Sequence, residues 1–404
     1  MTSSPSDPRP SDIGLSPGLQ RARNIALIVG VIGGIMCVAG YSMNRTQFLQ
    51  SYLIGYLFWL GIALGCVPII LVHHLVGGRW GFAIRKPLEA GALTIPLMAV
   101  LYLPIVFGLH TLYPWSDPSY LEQHPIVKAK SVYLHETAFL SRAVGYFLFW
   151  SVLSLILNNL SKRQDHPETE RKASGILGTI SGPALLLHVF VVSFAGIDWI
   201  MSLEPEWYST IFGPLWMVGQ ILTTMAFMIL VIAPRSGKGA RPDLTGPGTF
   251  NDLGNLLLAF VMLWAYMQLS QFLIIWSGNL LEEIPWYLKR TQGGWQWIAI
   301  TLIGFQFILP FLALLQRESK RRPERLARLA ALIVVMNVLS IYWIIAPAFT
   351  NTGPKPHLLD AASVVGMGGL WIAAFLTLLG RRPSVPGNAP PPIEENDHAP
   401  LGAH

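Results

Sequence analysis

The amino-acid sequence predicts an all-α integral membrane protein with about ten transmembrane helices. Hydrophobic residues make up 52% of the 404 residues, whereas charged residues make up only 12%, about half the share found in an average soluble domain. The apolar residues also fall into separate stretches of about 20, which is the length of α-helix that crosses the hydrocarbon core of a bilayer. These two observations exclude an ordinary soluble core.

The predicted helices lie between two polar, proline-containing tails, 1–23 and 381–404. Both tails have too little apolar surface to offset the entropy of ordering, so we expect them to be flexible. The first apolar stretch continues without a small-residue cleavage site, which predicts a helix and not a cleaved signal peptide. The ten stretches are about 24–43, 51–76, 89–112, 135–157, 178–200, 211–232, 252–277, 295–315, 326–346 and 361–379.

Basic residues are distributed unequally between the two sides of this ten-helix arrangement. Of the 28 lysine and arginine residues, 21 fall on the side of the two tails and six on the other side, and Arg142 lies inside the fourth helix. Arg79, Arg85 and Lys86 are assigned to the connection 77–88. Positive residues are retained on the cytoplasmic side, so we expect both termini to be cytoplasmic.

Cysteine and histidine usage indicates that this chain alone binds no haem, iron–sulfur cluster or metal. Cys37 and Cys66 both lie in apolar stretches, which excludes a disulfide framework and leaves too few thiolates for a cluster. His73 and His74 are adjacent and point about 100° apart on a helix, so they cannot ligate one haem face together. The net charge of +6 is interpreted as a topology signal, which predicts a lipid bilayer and no nucleic acid as partner.

One acidic stretch, 193–214, is chemically unusual because it contains three acids and no lysine or arginine. It reads SFAGIDWIMSLEPEWYSTIFGP and includes Asp198. His188 precedes Asp198 by ten residues, about 15 Å along a helix. Such a pair can pass protons, and we predict that His188 and Asp198, with Glu136 nearby, form a proton relay.

Polar residues at a similar depth predict a binding pocket. His135 and Arg142 are seven residues apart on one face of the fourth helix, and Gln268 and Gln271 share a face of the seventh with Trp264. Histidine, arginine and glutamine hydrogen-bond both oxygens of a quinone head group, and tryptophan provides a flat wall. These five residues are the predicted quinone pocket.

Each candidate also has a purely structural interpretation. Arg142 can extend to the membrane surface or pair with Glu136, and the two glutamines can bridge helices. His188 can be a neutral histidine bonded to a backbone carbonyl, and Asp198 can have a capping or loop role. Close to water, Glu204 and Glu206 are expected to be solvated, and Glu89 and Asp252 to begin helices 3 and 7, where carboxylates suit the helix dipole.

The stretch 193–214 resembles a pattern of the NrfD-type polytopic quinol-reactive subunits. That pattern is serine–phenylalanine–acid followed by tryptophan–x–serine/threonine–threonine–isoleucine–phenylalanine–x–proline. A second stretch, 271–286, reads QFLIIWSGNLLEEIPW and resembles the end of a later helix in the same family. Together the two stretches are most similar to the smaller of the two such subunits in alternative complex III, over most of 134–347. Three residues, 195–197, separate Phe194 from Asp198, whereas the acid directly follows phenylalanine in the quinol-active relative.

The resemblance implies two four-helix bundles with flanking helices, and a membrane subunit of a respiratory quinol:cytochrome c (or other acceptor) oxidoreductase in the bacterial inner membrane. Quinol would be the substrate. Haem and iron–sulfur clusters would be held by partners, which would include a larger homologous quinol-binding subunit and other membrane and periplasmic subunits. Two alternatives stay open within the family: a structural scaffold, or a proton-conducting subunit without its own quinol site. A secondary transporter, with paired interrupted helices in its two halves, is the rival class.

Overall fold

The computed structural model describes residues 15–237, 242–350, 352–381 and 388–389, and contains only helices and connections within those ranges. Ten helices in this part of the chain are long and apolar enough to cross a membrane. The predicted all-α polytopic membrane fold is therefore confirmed. The ten helices are α1 (Pro17–Met43), α2 (Arg45–Val76), α3 (Arg79–Phe107), α4 (Glu136–Gln164), α5 (Pro167–Leu203), α6 (Phe212–Arg235), α7 (Asp243–Gly278), α8 (Trp295–Leu315), α9 (Pro323–Ala348) and α10 (Leu358–Leu379).

The helices form two groups of four with two flanking helices. Helices α2 to α5 pack against one another, and helices α6 to α9 form a second bundle. The two bundles meet where α2 packs on α6, and the hydrophobic segment of α2 is buried along its whole length. Helices α1 and α10 pack against each other and on α2 at the outside of the first group. This matches the expected arrangement of two bundles with flanking helices.

Glycines allow the flanking helices to approach very closely. A Cβ atom added to Gly33 of α1 would lie 2.1 Å from the Cα atom of Gly366 in α10. Such a contact is impossible, so the backbones can meet only because both residues lack side chains. The opposite face of α1 is exposed and apolar, as at Ile28, Ile35 and Val38, which is the surface expected toward lipid.

Ten crossings define two faces of the protein. Residues 15 and 381 lie on one face, here called the near face, because the number of crossings between them is even. The connections that follow α1, α3, α5, α7 and α9 lie on the opposite or far face. The α3–α4 connection there contains three short α-helices, Leu109–Leu112, Pro118–Gln123 and Pro125–Ala129, and the α7–α8 connection contains another, Ile284–Thr291.

Several helix boundaries differ from the predicted ones. The third helix begins at Arg79, ten residues before the predicted start, and Arg85 and Lys86 are buried in it instead of lying in a loop. Residues 17–23, predicted to belong to a flexible tail, form the first turns of α1. The remaining tail residues, 1–14, 382–387 and 390–404, lie outside the described residues.

Prolines affect the helices unequally. The third helix is interrupted near Pro96 and Pro104, because proline provides no backbone N–H and crowds the preceding turn. By contrast, α2 continues through Pro68 without a break. In the second bundle, α8 contains a π-helical turn, Ile303–Ile308, a feature that is frequent at functional sites.

Candidate functional site

Asp198 forms the centre of a buried ionic cluster near the far face. It lies in the last turn of α5, and its side chain is 0% exposed. Arg142 of α4 donates to both carboxylate oxygens, from Nε to Oδ2 at 2.8 Å and from Nη2 to Oδ1 at 2.9 Å. The Tyr146 hydroxyl donates to Oδ2 at 2.8 Å. Arg142 and Tyr146 are four residues apart, so one face of α4 supplies all three donors.

The α3–α4 connection holds Arg142 in place. Nη1 of Arg142 donates to the carbonyl oxygen of Tyr133 at 2.9 Å, and the guanidinium lies 3.8 Å from the centre of the Tyr133 ring. Burial raises the pKa of Tyr133, and the negative charge of Asp198 raises it further. The arginine side chain nevertheless remains 20% exposed, whereas its carboxylate partner is fully enclosed. Arg142 is therefore the accessible member of the pair.

This arrangement couples the charge of Asp198 to the position of Arg142. Three hydrogen bonds, two of them from a cation, stabilise the ionised carboxylate. The bidentate contact uses both carboxylate oxygens, so any movement of the guanidinium leaves them without these two donors. Asp198 does not have the predicted alternative role as a simple cap, because its side chain bonds to α4 and not to the ends of its own helix.

His188 is not connected to this cluster. It is fully buried in α5, and neither ring nitrogen has a hydrogen-bond partner among the described residues. The alternative prediction was a neutral histidine that donates its N–H to a backbone carbonyl. No such hydrogen bond is found among the described residues. The ring of Trp150 lies 6.4 Å from His188 and 6.0 Å from the ring of Trp199, next to Asp198. A proton relay from His188 to Asp198 would require hydrogen-bonding groups between them, and the side chain that lies beside the histidine is an aromatic ring.

Glu136 and His135 lie at the exposed start of α4. The Glu136 side chain is 48% exposed, and its Oε1 atom lies 2.8 Å from Nε2 of His110. The predicted alternative in which Arg142 pairs with Glu136 is wrong, because Arg142 pairs with Asp198. Nδ1 of His135 lies 3.0 Å from the carbonyl oxygen of Ser131, so this histidine stabilises the turn before α4.

The predicted pocket residues of α7 lie in the second bundle, away from Arg142. Trp264 and Gln268 line a cavity between α2, α6, α7 and α9, whereas Gln271 is buried outside it. The cavity volume is about 30 Å³, too small for the ring of a quinone in this conformation. The structure therefore does not bring the five predicted residues into one pocket. The other polar residues that line the cavity are Gln220, Thr223, Asn337 and Ser340.

The sequence analysis missed a buried charge network that lies beside the near face, on α3 and after α4. Nζ of Lys86 lies 2.6 Å from Asp165, and Nε of Arg85 lies 3.1 Å from Glu89. Ser161 of α4 donates to Glu89, and Nη1 of Arg85 donates to Asn388 beyond α10 at 2.8 Å. Two cations therefore lie inside the fold, because two carboxylates, one on α3 and one after α4, balance their charge.

A second ionic cluster joins the two bundles at the far face. Glu204, predicted to be solvated, accepts from Nη2 of Arg290 at 2.7 Å and from Nζ of Lys289 at 3.0 Å. Burial lowers the pKa of Arg290, and the charge of Glu204 opposes that shift. The guanidinium also lies 3.9 Å from the ring centre of Trp286, which stacks on Trp207. Glu206 instead lies 2.6 Å from His124 and is half-exposed.

No family model and no curated protein matches the chain. Among the described residues, no group of three or more His, Cys, Asp or Glu side chains is arranged to hold a metal ion. Cys37 and Cys66 lie on different helices, and Cys66 is buried within its own helix, with Sγ donating to the carbonyl oxygen of Ile62. The Asp198 cluster itself brings together an acid, an arginine and two tyrosines, Tyr133 and Tyr146.

Proposed function

We propose that the chain is a non-cofactor membrane subunit of a respiratory quinol:electron-acceptor oxidoreductase, of the NrfD type and most like ActF of alternative complex III. The observation that carries this proposal is the fully buried Asp198, held by a partly exposed Arg142 close to the far face. An ionisable pair at this depth is costly in a membrane and usually marks a proton or substrate path. Ten apolar helices provide the setting that a lipid-soluble quinol requires.

In this proposal Arg142 binds the quinol head group and Asp198 receives a proton. Oxidation of one quinol gives one quinone, two protons and two electrons. Asp198 takes up the two protons one after the other, and the electrons pass to haem or iron–sulfur groups in partner subunits. When Arg142 turns toward a quinol oxygen, it leaves Asp198 without its cation, and the carboxylate becomes a stronger proton acceptor. Tyr146 keeps the carboxylate in place through its hydroxyl group. Glu136 and His110 form an exposed pair suited to pass the proton to water.

We further propose that the protein lies in the bacterial inner membrane with both termini in the cytoplasm. The excess of basic residues on the near face supports this orientation, since positive residues remain on the cytoplasmic side. The far face, with the Asp198 cluster beneath it, would then be periplasmic and would release protons there. Its partners would be a larger homologous quinol-binding subunit and other membrane and periplasmic proteins that carry haem and iron–sulfur clusters.

A scaffold or proton-conducting subunit without its own quinol site is the second candidate function. It is favoured by the closed bidentate geometry of the Arg142–Asp198 pair, which also suits a purely structural ion pair between α4 and α5. In that case the homologous partner would oxidise quinol. Quinol oxidation and proton conduction at this site both require an ionisable group at position 198, whereas a scaffold does not.

The test is Asp198→Asn in the whole assembled complex. Asn is nearly isosteric but cannot ionise, so we expect slower quinol oxidation with the complex intact. Asp360→Asn is the matched control, because Asp360 caps α10 at the same face and takes no part in the cluster. Equal turnover of both variants and the parent complex, with unchanged proton release, would reject proton transfer by Asp198 and support the scaffold.

A further inference from the structure

The cavity between α2, α6, α7 and α9 contains a buried amide without a partner. Gln220 of α6 is 3% exposed and lines the cavity, yet neither Oε1 nor Nε2 has a hydrogen-bond partner among the described residues. Burying such an amide without hydrogen bonds is unfavourable relative to leaving it in water. A guest in the cavity that can both donate and accept would satisfy this side chain.

The size of the cavity limits what that guest can be. Its volume is about 30 Å³, whereas about 10 to 15 Å³ is enough for one water molecule. Its walls are the rings of Phe58, Phe212, Trp216 and Trp264, all of them buried, so the space cannot be enlarged without moving several large side chains. One or two water molecules fit, and an aromatic head group does not.

The charge of the cavity distinguishes it from the Asp198 cluster. The described residues that line it include amides and hydroxyls but no Asp, Glu, Lys, Arg or His. The Thr223 hydroxyl donates to the carbonyl oxygen of Gly219 at 2.8 Å, which leaves its oxygen free to accept. Amides on three helices, Gln220, Gln268 and Asn337, face the same space. A neutral molecule with donors and acceptors, as water is, satisfies this set without any change of charge.

We propose that this cavity is an internal hydration site in the second bundle. One or two water molecules hydrogen-bond to Gln220 and bridge α6 to the amides of α7 and α9. Because the cavity has no titratable side chain, the water links the helices and does not store a proton. The two bundles thus hold different polar sites: an ionisable one at Asp198 in the first and a neutral hydrated one at Gln220 in the second.

Radiolytic hydroxyl-radical labelling of the whole complex in lipid nanodiscs tests this proposal. A bound water is converted to a radical in place, so it labels neighbouring side chains that bulk solvent cannot reach. We expect faster labelling of Trp216 and Trp264 than of Trp59, which is equally buried but faces α10, where its Nε1 donates to Val364. Labelling of Trp216 and Trp264 no faster than that of Trp59 would overturn the proposal.

A variant pair identifies the residue that holds the water. Gln220→Met preserves length but removes both hydrogen-bonding atoms, so labelling of Trp216 and Trp264 should be lost. Gln306→Met is the matched control, since Gln306 is also buried with an unpartnered amide in the described structure but does not line the cavity. Labelling that survives in Gln220→Met would contradict hydration at Gln220. So would a stoichiometric quinone in the purified protein when Trp216 and Trp264 are not labelled. The comparison within the parent protein decides the matter if Gln220→Met does not assemble.

Discussion

Arg142 of α4 and Asp198 of α5 form a bidentate ion pair, with both N–H···O distances below 3.0 Å, inside a membrane-spanning bundle. The pair joins two adjacent helices at the depth where the α3–α4 connection covers them. Its carboxylate is completely buried and its guanidinium is partly exposed. Of the two charged groups, the arginine is therefore the one that a ligand can contact.

Loss of the positive charge of Arg142 should destabilise the protein more than loss of its bidentate contact alone. Arg142→Gln leaves a buried carboxylate without a cation, and we expect a loss of about 3 kcal/mol, the lower end for breaking a buried pair, since Arg142 is 20% exposed. Arg142→Lys retains the charge but loses the bidentate contact, so its loss should be smaller. Reversible unfolding in detergent micelles measures both values.

The double variant Arg142→Gln/Asp198→Asn provides the control for that series. With both charges absent, no uncompensated ion remains, and part of the stability should return. Equal instability of Arg142→Gln and the double variant would show that the loss arises from packing of the arginine side chain and not from its charge.

The far-face cluster at Glu204 should depend mainly on the buried arginine. Arg290 is 1% exposed and Lys289 is 42% exposed, although both contact the same carboxylate. Glu204→Gln leaves Arg290 buried without its counter-ion, and we expect a loss of about 3 kcal/mol in the free energy of unfolding. Lys289→Met should cost about 0.2 to 1 kcal/mol, the range of an exposed pair. A larger loss from Lys289→Met than from Glu204→Gln would contradict this ranking.

Membrane orientation can be measured directly with reporter fusions. A reporter that is active only in the cytoplasm should give a signal when it is fused after Gly387, because the near face is the basic one. The same reporter inserted beside Glu204, in the α5–α6 connection, should be silent. A silent Gly387 fusion, with the fusion protein present in the membrane, would reject the proposed orientation.

The number and approximate positions of the helices could be predicted because hydropathy depends on each segment alone. The start of α3 could not, because Arg85 and Lys86 have the composition of a loop. They are buried only because Glu89 and Asp165 meet them, and Asp165 follows a different helix. A single sequence contains no direct signal for such pairing across helices.

The same limit explains what was predicted of the site. The acidic stretch identified Asp198, but its bidentate pairing with Arg142 was not predicted, since Arg142 is 56 residues away in the chain. Tyr146 was within reach of sequence reasoning, because it follows Arg142 by four residues and shares its helical face. Gln268 and Gln271 were assigned to one face, yet only Gln268 lines the cavity.

The central claim is that Asp198 takes up a proton when quinol is oxidised. Infrared difference spectroscopy of the whole complex, recorded on addition of quinol, detects that event as the C=O stretch of a newly protonated carboxyl group. We expect this band to shift in D₂O, to be absent in Asp198→Asn and to persist in the Asp360→Asn control. A band of unchanged intensity in Asp198→Asn, with quinol turnover also unchanged, would contradict the claim.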